Sequence, residues 1–145
     1  MAVSPDKTQY YQPGSPGLGS AASYQVSGYP YVTGAVNQAD GTEVQVTFPT
    51  VTKSITVRTT ADTAVKVAFR EASAGGVYGG EHYLTVQGIS AMALGQLTLP
   101  VKCTEIFITN DSGGPASWQV FGSLTGIARS EMFELTGSGI TAFNT

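Results

Sequence analysis

From Thr42 to Gly126 the chain alternates apolar and polar residues in short runs. Val44, Val46 and Phe48 are interleaved with Glu43, Gln45 and Thr47, and the same period returns at Ile55/Val57, Val65/Val67/Phe69, Leu97/Leu99/Val101 and Ile106/Ile108. A period of two sends one set of side chains to a buried sheet face and the other to solvent. The pattern predicts strands near residues 25–33, 42–48, 53–60, 63–71, 82–87, 95–101, 104–110, 116–125 and 132–136. Turn signals separate them at Asp40-Gly41, Ala61-Asp62, Ala74-Gly75-Gly76, Gly79-Gly80, Gly88 and Asp111-Ser112-Gly113-Gly114-Pro115.

Eight or nine short strands without an amphipathic helix predict an all-β fold, an antiparallel β-sandwich of two packed sheets. Jelly-roll topology suits that count. An immunoglobulin-like sandwich is the alternative, and its Cys–Trp–Cys signature is absent. Pro100 donates no ladder hydrogen bond, so the run 95–101 is expected to be an edge strand or to bulge there. The predicted core comprises Val44, Val46, Phe48, Ile55, Val57, Val65, Val67, Phe69, Leu84, Val86, Leu97, Leu99, Ile106, Ile108, Trp118, Val120 and Leu124. Each large member contributes roughly 1.5–3 kcal/mol when fully buried.

The ends differ in kind from the body. Residues 1–24 hold Ser4-Pro5, Pro13-Gly14-Ser15-Pro16-Gly17 and Gly19-Ser20, without sustained periodicity. Proline disfavours helix before it and glycine removes restraint, so this stretch reads as an extended N-terminal arm. Tyr10, Tyr11 and Tyr24 make it more than a solvated tail, because aromatics in an irregular arm are anchors for a groove on this protein or a neighbour. The sandwich domain is expected over 25–127, and 128–145 as a C-terminal strand or arm in which Phe143 is a further contact candidate.

Composition narrows the functional classes. The chain of 145 residues fits one domain with a working core. Charged residues make up 12%, about half the usual share, and a weakly charged surface is the cheaper kind to cover with protein. The net charge of −3 and seven scattered basic residues argue against a nucleic-acid partner. No apolar run approaches the ~20 residues of a membrane span. The segment Met1–Lys7 lacks the basic and apolar regions of a secretion signal, so synthesis and retention in a cytoplasm are expected.

Candidate chemistry is sparse. His82 and its neighbour Glu81 point to opposite faces of a strand, and His82 shares parity with Leu84 and Val86 at the rim of the core. Cys103 has only His82 as a possible histidine partner for nucleophilic work and reads as a small, half-buried filler. The ten carboxylates are dispersed, and neither Asp40-Gly41 nor Asp111-Ser112-Gly113 has the spacing of a calcium loop. Gly75-Gly76-Val77-Tyr78-Gly79-Gly80 lacks the lysine and helix of a phosphate loop, which leaves Tyr78 as a contact residue at a loop tip. Asn110-Asp111-Ser112 matches a glycosylation sequon by composition and reads as a turn. Trp118 alternates with Val120 and reads as core. No catalytic, metal-ligating or cofactor-binding residue is assigned, and no cofactor is expected.

Ser54-Ile55-Thr56-Val57-Arg58, Val65-Lys66-Val67-Ala68-Phe69, His82-Tyr83-Leu84-Thr85-Val86 and the closing Leu124-Thr125-Gly126-Ile127 together resemble small virion proteins of tailed bacteriophages, the capsid decoration or cement proteins. The resemblance covers about residues 42–127; Ala128 stands where the family commonly has proline, and the 18 residues after Ile127 depart from the pattern. It implies a jelly-roll-like sandwich, often a homotrimer, seated on the outer face of an icosahedral capsid, with the major capsid protein as partner and no catalytic residues. The virion surface, reached after assembly in the host cytoplasm, is then the expected location. Two other classes compete. A carbohydrate- or receptor-binding module would stack sugars on exposed Tyr29, Tyr31, Tyr78 or Trp118. A shell-forming coat protein would carry a basic arm, and this arm offers only Lys7. An enzyme ranks last.

Overall fold

The computed structural model describes residues 17–71, 82–89, 95–133 and 135. Within them the alternating runs form β1 (Tyr29–Gln38), β2 (Thr42–Thr47), β3 (Thr50–Thr59), β4 (Val65–Ala68), β5 (Leu84–Val86), β6 (Gln96–Leu99), β7 (Glu105–Asn110) and β8 (Ala116–Ala128). These build two four-stranded sheets, with orders β1-β8-β3-β6 and β2-β7-β4-β5. The pairs β1/β8, β2/β7, β3/β6 and β4/β5 are all antiparallel. First strand therefore pairs with last, second with next to last, and so inward, as in a long hairpin rolled into a sandwich. This nesting is jelly-roll topology, and the all-β class expected from the sequence is observed with eight strands.

The core follows from side-chain parity. Trp118, Val120 and Leu124 of β8 and Ile55 and Val57 of β3, on one sheet, pack with Val46, Val65, Val67, Val86, Ile106 and Ile108 of the other and with Phe48 from the turn between β2 and β3, all buried. Val44, Phe69, Leu97 and Leu99 are partly buried and pack against that cluster. Leu84 is a correction: it is 43% exposed, because β5 is a three-residue edge strand. Val51, Phe107 and Ile127 are buried core members that the two-residue pattern did not single out. β6 is an edge strand that stops just before Pro100, as its missing donor requires.

Two segments differ from expectation. Gly17–Ser20 is a turn, closed by Ser20 N–H donating to Gly17 O at 3.0 Å, and α1 (Ala21–Gln25) is a short helix where the arm was expected to be extended. Ala21 and Ala22 favour helix intrinsically. Five residues are too few to be stable alone, and α1 rests on the body near β8. At the other end no strand runs through Met132, Phe133 or Leu135. A single 3₁₀ turn at Arg129–Glu131 takes the chain out of the sheet, and the Arg70 guanidinium donates to the Leu135 carbonyl.

Candidate functional site

Of the residues marked as contact candidates, Tyr10, Tyr11, Tyr78 and Phe143 lie outside the described residues. Tyr24 is half-buried on α1, with the Lys102 ammonium 4.6 Å from the centre of its ring. The same ammonium donates to Leu18 O at 3.2 Å. Tyr24 thus anchors the entry segment to the chain's own body. Its hydroxyl is occluded and has no hydrogen-bond partner among the described residues, and that desolvation raises its pKa above the ordinary 10.

The remaining candidates resolve into structural roles. Trp118 is buried and donates from Nε1 to Oε1 of Gln38, so it offers no platform to a sugar. Tyr31 lies edge-on to Phe48 with ring centres 5.4 Å apart, whereas Tyr29 is exposed. His82 is half-buried before β5. Cys103 is more buried than the half-buried filler expected: it is 2% exposed, and its Sγ lies 3.3 Å from the Thr52 hydroxyl. Burial pushes its pKa up to about 11 despite that contact, so the thiol stays protonated and unreactive at neutral pH.

The two turns near Asp40 and Asp111 serve each other. Asp40 Oδ1 accepts from Gly113 N–H at 2.9 Å, and Gly41 N–H, at φ +79°, donates to Asn110 O at 2.6 Å. Asn110 is fully buried and its amide donates to Gln38 O and Gly114 O, which removes the sequon nitrogen from any enzyme's reach. Among the described residues no group of three or more His, Cys, Asp or Glu side chains is placed to hold a metal ion.

What the fold does present is a surface. The outward parity of the β1-β8-β3-β6 sheet places Val32 of β1 directly across from Phe121 of β8, and Phe121 across from Thr56 of β3. Val32 is 69% exposed and Phe121 43%. Around them Thr56 and Thr98 bring their hydroxyls to 3.1 Å of each other, and Arg58 Nε donates to Gln119 Oε1 at 2.9 Å. Val32, Thr56, Arg58, Gln96, Gln119, Val120 and Phe121 line a shallow depression of about 320 Å³. Its chemistry is neutral and hydrogen-bonding around an apolar centre, with Arg58 as the single charged lining residue.

A second, larger hollow of about 650 Å³ lies between the outer face of β7 and the segment beyond β8. Phe69, Phe107, Met132 and Phe133 give it apolar walls, and Arg70, Glu105 and Arg129 charge its rim. Arg129 reaches Glu105 only at 3.8 Å, while Gln45 donates to the same carboxylate at 3.1 Å. The Arg129 contact links the segment after β8 to β7, and the Gln45 contact links β2 to β7.

Sequence reasoning passed over Val32 and Phe121. The signal for Phe121 was present: once Trp118 and Val120 are placed inward, an aromatic at position 121 must face out. Val32 and Arg58 needed the strand order, since nothing in the sequence shows that β1 and β3 flank the last strand.

No family model matches the chain, and no curated protein does. Among solved structures, a crystal structure of PirA aligns over 67% of this chain and 94% of that chain, at 11% identity and a TM-score of 0.31. That likeness is too slight to carry an argument about fold or function.

Proposed function

We propose that the chain is a structural virion protein that decorates and stabilises an icosahedral phage capsid by binding the outer face of the major capsid protein. The observation that carries this reading is the outer face of the β1-β8-β3-β6 sheet, which exposes Val32 and Phe121 among threonines and glutamines with one arginine. Covering such a face costs little charge desolvation and buries apolar area. The resemblance of residues 42–127 to decoration proteins supports the same conclusion. The work required is adhesion, and many weak contacts repeated over a shell give slow release.

The test is co-sedimentation of the full chain with shells assembled from the major capsid protein of the same phage. Phe121→Ser, on an exposed position, is expected to weaken binding at least about tenfold while leaving thermal stability nearly unchanged. Shells that retain no wild-type chain would end the capsid reading.

One observation favours a second reading as a carbohydrate- or receptor-binding module. The exposed Phe121 shares the depression with Gln96 and Gln119, and an aromatic residue and amide side chains in one hollow suit a neutral sugar. A glycan array separates the two: hits that Phe121→Ser abolishes, without capsid binding, would favour the module.

A further inference from the structure

The four sheet edges of this sandwich are treated differently. An edge strand presents unpaired backbone N–H and C=O groups, and proteins blunt it with short length, charge or proline. β6 has four residues and stops at Pro100, β5 has three, and β2 carries the exposed carboxylate of Glu43. β1 runs for ten residues, and among the described elements its substantial contacts are with β8 alone. The chain has no Asp, Glu, Lys, Arg or His between Lys7 and Asp40. Along β1, Tyr29, Val32 and Val36 are 67%, 69% and 81% exposed.

The parity of the ladder identifies which backbone groups of β1 lack a partner among the described residues. Thr60 N–H donates to Ser117 O at 2.9 Å, so Ser117, and with it Gln119 and Phe121, turns its backbone groups toward β3. Residues alternate sides along an antiparallel strand. Trp118, Val120 and Gly122 therefore turn theirs toward β1, where their register partners are Ala35, Thr33 and Tyr31. Among the described residues, the N–H and C=O groups of Val32 and Gly34 have no ladder partner and face away from β8. Pro30 shares their parity, so its missing N–H also faces outward, where proline is tolerated.

We infer that this edge pairs antiparallel with β1 of a second copy of the chain, about a two-fold axis through Thr33. Val32 then lies opposite the partner's Gly34, and every N–H and C=O of both residues is used. This register sets Pro30 against the partner's Val36, at the start of the irregularity between Ala35 and Gln38, so the missing proline donor falls at the end of the ladder and not within it. Registers that set Pro30 against Val32 or Gly34 lose donors. Because the strand carries no charge, two copies meet without like-charge repulsion. Val32 covers the surface left open by the partner's Gly34 and extends the apolar strip begun by Phe121. The contact is isologous and closes at two copies. It does not depend on the capsid reading, and it is measured with no capsid protein present.

Analytical ultracentrifugation of the full chain over a concentration series is expected to show a monomer–dimer equilibrium. Val32→Lys places two ammonium groups near the axis and is expected to weaken dimerisation at least about tenfold, with an unchanged circular dichroism spectrum. In a separate variant, Thr33→Cys faces its own copy at a non-hydrogen-bonded position, where Cα atoms lie about 4.5 Å apart, within disulfide reach. Mild oxidation should convert that variant to a covalent dimer while the parent, whose Cys103 is buried, stays uncrosslinked. A chain that is monomeric throughout, an oligomer of any size that survives Val32→Lys, or a Thr33→Cys variant that fails to cross-link would each overturn the pairing.

Discussion

Trp118 Nε1 donates to Gln38 Oε1 at 2.5 Å, and both side chains are buried. The Gln38 amide nitrogen in turn donates to Thr42 O at 2.8 Å and Ile108 O at 3.2 Å. The last residue of β1 thereby ties β8 of one sheet to β2 and β7 of the other, at the corner where the chain changes sheets. Gln38→Ala leaves an indole N–H and two carbonyls without this partner. The expected loss is about 2–4 kcal/mol, since buried polar groups left unsatisfied cost more than the net value of their hydrogen bonds. Urea unfolding followed by the fluorescence of the single tryptophan measures it; a loss near zero would mean that the corner is held by backbone alone.

Asn110 supports the same corner from the β7 side. Its amide nitrogen bonds Gln38 O at 2.8 Å and Gly114 O at 2.7 Å, and its Oδ1 accepts from Ser112 N–H and Oγ–H at 3.1 and 2.6 Å. Asn110→Ala is expected to cost about 2–3 kcal/mol and, combined with Gln38→Ala, less than the sum of the two, because the variants share a network. A double-mutant cycle read by urea unfolding decides this; strict additivity would mean that the two residues act separately.

Much of this fold was legible in the alternation. Val46, Val57, Val67, Ile108 and Val120 sit where a period of two places them, because each strand buries one face. The pattern failed where neighbours rather than neighbouring sequence decide burial. Phe107 points to the outer face of β7, yet it is buried beneath the segment that follows β8. Leu84 has core parity and is exposed, because its strand lies at an edge. Gln38, the hub of the corner, looked like an ordinary polar strand end; only strand order brings Trp118 to it. Of the contact candidates, Tyr24 alone falls within the described residues, and the exposed apolar face emerges from β1 and β8 lying side by side, which periodicity does not encode.

The Cys103 thiol makes stability fall at alkaline pH. Burial raises its pKa from 9 to about 11 in the folded chain. A thiol with a raised folded pKa favours the folded state fully below the unfolded value, and that advantage is lost as pH rises from 9 toward 11. The span corresponds to at most ~3 kcal/mol. Cys103→Ala should flatten the decline between pH 8.5 and 10.5 relative to wild type, measured by urea unfolding at each pH. The native thiol should also resist a disulfide reagent at pH 8 until the chain is unfolded. Rapid modification of the folded protein would contradict the burial argument.

Two glycines of β8 provide a matched pair. A Cβ at Gly122 would lie 2.9 Å from Cε1 and 3.2 Å from Cδ1 of Phe48, whereas one at Gly126 meets nothing within 4 Å. Phe48 has no room to yield: it is fully buried and packed edge-on by Tyr31. Gly122→Ala is therefore an overpacking change, expected to cost about 1–3 kcal/mol. Gly126→Ala is exposed and unobstructed, and by reducing the freedom of the unfolded chain it should be neutral or stabilise by up to ~1 kcal/mol. Both substitutions add the same methyl group to the same strand, so β propensity largely cancels in the comparison. Urea midpoints that separate the two variants by at least about 1 kcal/mol would place the difference in the contact with Phe48, and equal midpoints would remove that contact as the reason for glycine at position 122.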